Sequence, residues 1–137
     1  MPLARTDARW IRAFSFGLLA EFATIVTIIL IVTVHSVANG GPMMDTTSRF
    51  AGVWGATIGI VDGAFYVYLF ARWIGSLVSR SFVAHGIVVA VAAAALHLLT
   101  ALGSAEKLGV LQYAADALKI AAGALGGWVA SRNVRDV

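Results

Sequence analysis

Cysteine is absent from this sequence, and charged residues are scarce, making up 12% of the chain. Without cysteine there are no disulfides, no thiolate catalysis and no zinc or iron–sulfur site with cysteine ligands. The chain also lacks a nucleophile elbow, a His-Glu-x-x-His zinc helix and a glycine-rich phosphate loop. The sequence therefore predicts a non-enzymatic protein that holds no cofactor and no metal.

Apolar residues are correspondingly abundant. They make up 60% of the 137 residues, and the mean hydropathy is +0.87. Soluble domains are roughly 45–50% apolar and about 25% charged. A small soluble fold buries only about two-thirds of the surface that its unfolded chain exposes. We therefore expect part of this chain to be covered by lipid.

Four long apolar runs divide the sequence, at about 13–38, 50–71, 82–102 and 108–130. Each run reaches the length of about 20 residues that a membrane-spanning helix needs. The charged residues inside the runs are Glu21, Asp62, Asp116 and Lys119. The sequence predicts an all-α membrane protein, in which residues 1–137 form a single domain with four transmembrane helices and short loops.

The basic residues that flank the runs are distributed unevenly. One side carries seven of them, namely Arg5, Arg9, Arg12, Arg72, Arg80, Arg132 and Arg135. The other side carries only Arg49 and Lys107. Cytoplasmic loops hold the excess of Lys and Arg, so we expect both termini inside and a multi-pass location in the cell membrane. The same arginines lie beside apolar runs and form no contiguous patch, which argues against nucleic acid as a partner.

A cleaved secretory signal is the alternative for the first run. Early arginines, an apolar stretch and the small residues Ser36, Val37 and Ala38 resemble one. Such signals are typically about 15–30 residues long, with an apolar core of about 7–15. Because residues 1–38 exceed that length, we expect this segment to remain as the first span.

Glycines mark the predicted contacts between helices, because small residues let helices approach closely in lipid. They lie at spacing four: Gly55, Gly59 and Gly63 in the second run, and Gly123 and Gly127 in the fourth. Asp62 and Tyr66 share a face with the first set, and Asp116 and Lys119 share a face with the second. We expect both faces to point at protein.

The ionisable residues at membrane depth form the candidate polar or ion site. Its members are Glu21, Asp62, Tyr66, His85, His97, Asp116 and Lys119. Asp116 and Lys119 are three residues apart on one helix and can pair. Glu21 is expected near the inner surface, within reach of water and Arg12. The three acids exceed the one lysine by two negative charges, so protons or a bound cation must balance them.

Two functions fit this pattern, and a third is weaker. The favoured one is a structural or accessory membrane protein, whose carboxylates hold the bundle or an oligomer together. The alternative is a proton- or cation-linked transporter or channel, for which four helices would need a second copy or another membrane protein as partner. A bis-histidine haem between His35 and His97 is the third hypothesis.

Overall fold

The computed structural model describes residues 5–103 and 109–133, which form four helices and no strand. The helices are α1 (Arg5–Ala38), α2 (Arg49–Ser76), α3 (Phe82–Gly103) and α4 (Val110–Asn133). The predicted all-helical fold with four helices is thereby confirmed. Lys107, Arg135 and the connection 104–108, all used in the sequence-based prediction, lie outside the described residues, as does the side chain of Arg5.

The loop between α1 and α2 has residues suited to ending one helix and starting the next. Gly40 adopts a φ of +74°, a left-handed conformation that glycine reaches without steric cost, and its N–H donates to the Val37 carbonyl at 3.0 Å. Ser48 precedes α2, and its side-chain oxygen accepts a 3.1 Å hydrogen bond from the Ala51 N–H. This is the N-cap arrangement that satisfies an otherwise unpaired N–H of the first turn.

The same loop holds one carboxylate whose pKa is perturbed. The hydroxyl of Thr47 donates to Asp45 Oδ1 at 2.7 Å, and the Thr47 N–H donates to the same oxygen at 3.0 Å. Both bonds favour the charged form, and they hold the pKa of Asp45 below its ordinary value.

The helices form an up-down-up-down bundle with two unequal diagonals. Helix α1 packs beside α2 and α3, and α4 also packs beside α2 and α3. Helices α2 and α3 touch across one diagonal. Within the described residues, α1 and α4 share no close backbone contact, so they face each other across the longer diagonal. We call the end with Arg9, Arg72 and Arg132 the arginine-rich end, and the end with residues 39–48 the loop end.

The arginine-rich half of the bundle is packed through glycine. A Cβ atom at Gly126 of α4 would lie only 2.6 Å from the Tyr68 carbonyl oxygen of α2. Gly86 of α3 and Gly123 of α4 meet backbone to backbone, so that a Cβ on either would overlap the carbonyl of the other. Gly127 meets the Phe82 carbonyl in the same way. Only glycine permits these approaches.

The surface of the bundle is unusually apolar. Phe22 of α1 is 61% exposed, Phe65 of α2 is 53% exposed and Leu99 of α3 is 66% exposed. Soluble monomers rarely expose contiguous apolar surface on this scale. Among the described residues, α1 from Arg9 onward, α2 and α3 are long and apolar enough to cross a membrane. Helix α4 is the less apolar fourth member.

Candidate functional site

A buried ion pair lies at the centre of the bundle. Lys119 Nζ of α4 donates to Glu21 Oε2 of α1 at 2.6 Å. The two side chains are only 2% and 4% exposed. The pair spans the long diagonal, where the backbones of α1 and α4 do not approach each other. A side-chain contact between two charges therefore joins the two most distant helices.

Gly63 of α2 provides the space that Lys119 needs. A Cβ atom at Gly63 would lie 2.9 Å from Lys119 Cε and 3.8 Å from Thr24 Cγ2. The aliphatic part of Lys119 thus passes against the bare backbone of α2 on its way to Glu21. Thr24 directs its hydroxyl back to the Ala20 carbonyl at 3.0 Å, which leaves its methyl group toward Gly63.

Two further residues extend the pair into a network. Lys119 Nζ lies 3.6 Å from Asp116 Oδ1 on the same helix. The same Asp116 oxygen is 2.8 Å from His97 Nδ1 of α3. Asp116 Oδ2 is buried, and within the described part of the chain it has no hydrogen-bond partner. We call Glu21, Lys119, Asp116 and His97 the ion network.

The formal charges of the ion network do not cancel when His97 is neutral. With both carboxylates ionised, Glu21 and Asp116 supply two negative charges and Lys119 supplies one positive charge. His97 adds a positive charge only when it is protonated. A neutral network therefore needs a proton on His97 or on a carboxyl group, or an added cation, because uncompensated buried charge is costly.

A cavity of about 380 Å³ adjoins the ion network on its loop-end side. It extends from Thr46 in the loop to Glu21 and Lys119 at the bundle centre. Polar groups along it are Thr24, Thr46, His97, Thr100 and Gln112. Apolar groups along it include Ile25, Ile28, Ile60 and Leu111. We call this space the loop-end cavity.

The glycines of the first half of α2 form one wall of the loop-end cavity. Gly52, Gly55 and Gly59 all border it. A Cβ atom at Gly52 or Gly55 would meet nothing within 4 Å, and one at Gly59 would meet only Ile28 Cδ1, at 3.3 Å. The expectation that Gly55 packs against another helix is therefore not met. Of the predicted packing glycines of α2, Gly63 has close neighbours from two other helices and Gly59 has one, Ile28 of α1.

Asp62 and Tyr66 lie apart from the ion network. The Tyr66 hydroxyl forms a 3.0 Å hydrogen bond with Thr27 Oγ1 of α1. Asp62 is half-buried and makes no hydrogen bond or ion pair with any residue in 5–103 or 109–133. The structure thus divides the predicted candidate site and places Asp62 outside its charged centre.

The other two histidines have aromatic neighbours. His85 is buried toward the arginine-rich end, stacked on Trp10 with 3.8 Å between ring centroids. His35 stacks on Phe50 at 3.5 Å, whereas His97 binds Asp116. The two histidines considered for haem are therefore engaged with different partners. No group of three or more potential metal ligands occurs among the described residues.

The pairing of Glu21 differs from its predicted environment. The sequence-based expectation placed Glu21 near the inner surface with Arg12, but its side chain is buried against Lys119. The reason is that Glu21 lies on the buried face of α1, beside Ala20 and Thr24, and therefore points into the bundle. The surplus of acid at membrane depth was an available signal, since one lysine can pair with more than one carboxylate.

Comparison with protein-family models, with curated proteins and with solved structures finds no match to this chain. Its function must therefore be inferred from the ion network and the cavity themselves.

Proposed function

We propose that this chain is an integral protein of the cell membrane whose four helices all cross the bilayer, with both termini in the cytoplasm. Three helices have the length and apolarity for this. Helix α4 packs against both α2 and α3 in the same bundle and buries the two charged residues of its central part, Asp116 and Lys119. Its 24 residues correspond to about 36 Å of helix, enough for the hydrocarbon core of about 30 Å.

The function that this geometry supports best is proton- or cation-linked transport through the loop-end cavity. One observation carries the proposal: Glu21 and Lys119 are almost fully buried in the bundle and yet border the cavity. Ionisable groups at membrane depth typically mark ion or substrate paths, because they are expensive to keep there. A path from the loop end thus leads to charged groups at the centre.

The closed arginine-rich half favours a transporter over an open channel. On the arginine-rich side of the ion network, helix backbones are in contact at Gly86, Gly123 and Gly126. Passage to the other side requires this half to separate, with the ion network as the fixed central site, as in alternating access. A second copy of the chain or another membrane protein can supply surfaces for such a movement.

A structural or accessory role is the second candidate, and one observation favours it. The 2.6 Å contact between Lys119 and Glu21 joins α1 to α4, the helix pair without close backbone contact in the described residues. In that case the ion network holds the bundle together and the cavity has no ligand.

Flux measurements separate the two candidates. Purified protein in liposomes that contain a pH-sensitive dye is exposed to gradients of protons, Na⁺, K⁺ and small organic ammonium ions. We expect flux from the wild-type protein and its loss in Glu21→Gln, which keeps the shape of the side chain and removes its charge. Asp62→Asn is the matched control, since it removes a carboxylate outside the ion network, and it should retain flux.

The result that contradicts transport is a wild-type protein, folded by circular dichroism, that moves no ion under any of these gradients. Flux that is lost equally in Asp62→Asn and Glu21→Gln would also overturn the assignment of the path to the ion network.

A further inference from the structure

The ion network lacks one positive charge, and the loop-end cavity provides a place for it. Lys119 is shared between two carboxylates, at 2.6 Å from Glu21 and 3.6 Å from Asp116. His97 completes the balance only as the imidazolium ion. Two occupants can therefore neutralise the same site, a proton on His97 or a cation in the cavity.

We propose that the loop-end cavity binds a small organic cation with a single positive charge, and that its binding displaces one proton from His97. This inference rests on the proposed function and names the substrate class and the exchange that it performs. The protein then acts as a proton/organic-cation exchanger, since the two positive charges compete for one neutral state of the ion network.

The dimensions and walls of the cavity favour an organic cation. Its volume of about 380 Å³ falls within the range of about 300–1,000 Å³ typical of small-molecule sites. Ile25, Ile28 and Ile60 line it together with the bare backbone at Gly55. These surfaces suit a compact apolar body, while the Glu21 carboxylate at the end of the cavity suits an ammonium group.

The position of Lys119 argues against an inorganic metal ion. A metal ion needs several oxygen ligands that converge on one point. Here the ammonium group of Lys119 lies between the carboxylates of Glu21 and Asp116, and no cluster of three potential ligands occurs in residues 5–103 and 109–133. An organic cation needs only one carboxylate and an apolar surface.

The exchange proceeds through a short movement of Lys119. In the resting state the network is neutral, His97 holds protons on both ring nitrogens, and its Nδ1–H donates to Asp116 Oδ1. An incoming cation pairs with Glu21, and Lys119 Nζ moves from Glu21 toward Asp116 Oδ1. The proton on His97 Nε2 then passes to water in the cavity, which His97 borders. Release of the cation reverses each step.

The charged groups around His97 come from two other helices, α4 and α1. Asp116 of α4 contacts His97 directly, Lys119 lies 3.6 Å from Asp116 on the same helix, and Glu21 of α1 pairs with Lys119. Among the described residues, α2 contributes no ionisable side chain to this network, since Asp62 makes no contact with it. The balance therefore depends on these four groups.

Calorimetry with a quaternary ammonium ion tests the exchange directly. Benzyltrimethylammonium carries no dissociable proton, so any proton released on binding comes from the protein. Purified protein in detergent is titrated in two buffers with different ionisation enthalpies. We expect release of up to one proton for each cation bound. While His97 is protonated, the apparent Kd should rise about tenfold for each unit by which the pH falls. Benzyl alcohol, which has no charge, should not compete.

Two variants show which group releases the proton. In His97→Gln the amide can still donate to Asp116, so we expect the cation to bind without proton release and with little dependence on pH. In Asp62→Asn both properties should match the wild-type protein. Binding with no proton release from the wild-type protein would overturn the exchange, as would unchanged release from His97→Gln.

The outcomes also separate this inference from the proposed function. If benzyltrimethylammonium, tetraethylammonium and methylammonium all fail to bind while liposomes still show flux of protons or Na⁺ that depends on Glu21, the organic substrate class is wrong and the transport function stands. If neither binding nor flux occurs, both are wrong.

Discussion

The two halves of the bundle use the same small residue for opposite purposes. In the arginine-rich half, Gly86 and Gly123 let two helix backbones touch. In the loop half, Gly52 and Gly55 have no neighbour within 4 Å of a Cβ position and border a cavity. Glycine at helical spacing therefore indicates a bare backbone surface, but the spacing does not indicate whether a neighbouring helix packs on it.

The ion network lies where the two halves meet. On the arginine-rich side of Lys119 the helices pack closely together, and on the loop side the cavity begins. Gly63 belongs to both, since it continues the glycine face of α2 and also packs on the Lys119 side chain. We therefore expect substitutions of glycine to lower stability in the arginine-rich half and to change ligand access in the loop half.

The largest effect is expected at the junction. Lys119→Met keeps the length of the side chain but leaves Glu21 and Asp116 without their buried partner. Breaking a buried ion pair from one side typically costs about 3–5 kcal/mol, so we expect a large fall in the thermal unfolding temperature in detergent. The double variant Glu21→Gln/Lys119→Met removes the orphaned charge on α1 and should recover part of the loss. A Lys119→Met protein as stable as wild type would show that the pair does not hold α1 to α4.

The next largest effect contrasts one glycine from each half. Gly86→Ala forces a methyl group against the Gly123 carbonyl, and overpacking of this kind costs about 1–3 kcal/mol. Gly55→Ala adds the same methyl group in open space and gains helix propensity, worth up to about 1 kcal/mol. Thermal unfolding is followed by circular dichroism under identical detergent conditions. The unfolding temperature should fall in Gly86→Ala and rise in Gly55→Ala. Equal destabilisation would remove the distinction between the halves.

A smaller effect is expected from the hydrogen bond between α1 and α2. Thr27→Val and Tyr66→Phe each remove one partner of the 3.0 Å contact. Hydrogen bonds between helices in membranes contribute about 0.6 kcal/mol on average. A double-mutant cycle should return a coupling free energy of that order. A value of zero would mean that the two helices are held together by packing alone at this level.

The smallest effect concerns the loop. The bonds from Thr47 lower the pKa of Asp45 in the folded protein, so their stabilisation is present above the unfolded pKa and is lost as the pH falls through the folded value. Thr47→Ala should therefore raise the pKa of Asp45 toward its ordinary value. Titration of the Asp45 carboxyl by nuclear magnetic resonance measures this, and an unchanged pKa would contradict the assignment.

Sequence alone predicts the helices of this protein well, because each follows from one local property. Apolar runs predicted four helices joined by short loops, and the described residues form four helices. Helix α1 nevertheless begins at Arg5 rather than near residue 13, since a helix continues beyond the apolar segment where its arginines can reach water.

The contacts between helices were less predictable. The i,i+3 spacing of Asp116 and Lys119 was enough to predict their proximity, because both lie on one helix. Pairing of Lys119 with Glu21 depends on which helices lie across the diagonal, and apolar periodicity carries no information about that. Asp62 was expected to share the site because it follows the glycine spacing, but it lies one residue from Gly63 and about 100° around the helix from it.

We expect the loop-end cavity to give access from the loop side to Glu21 and Lys119 at the middle of the bundle. Because the chain has no cysteine, a single Cys introduced by substitution reports access at one position. Gly59→Cys places a thiol in the cavity, and Ala71→Cys places one in the closed arginine-rich half, where Ala71 is 0% exposed. A charged, membrane-impermeant methanethiosulfonate reagent, added from the loop side of protein in liposomes, should modify Gly59→Cys rapidly and leave Ala71→Cys unmodified. Equal rates for the two variants would contradict the account.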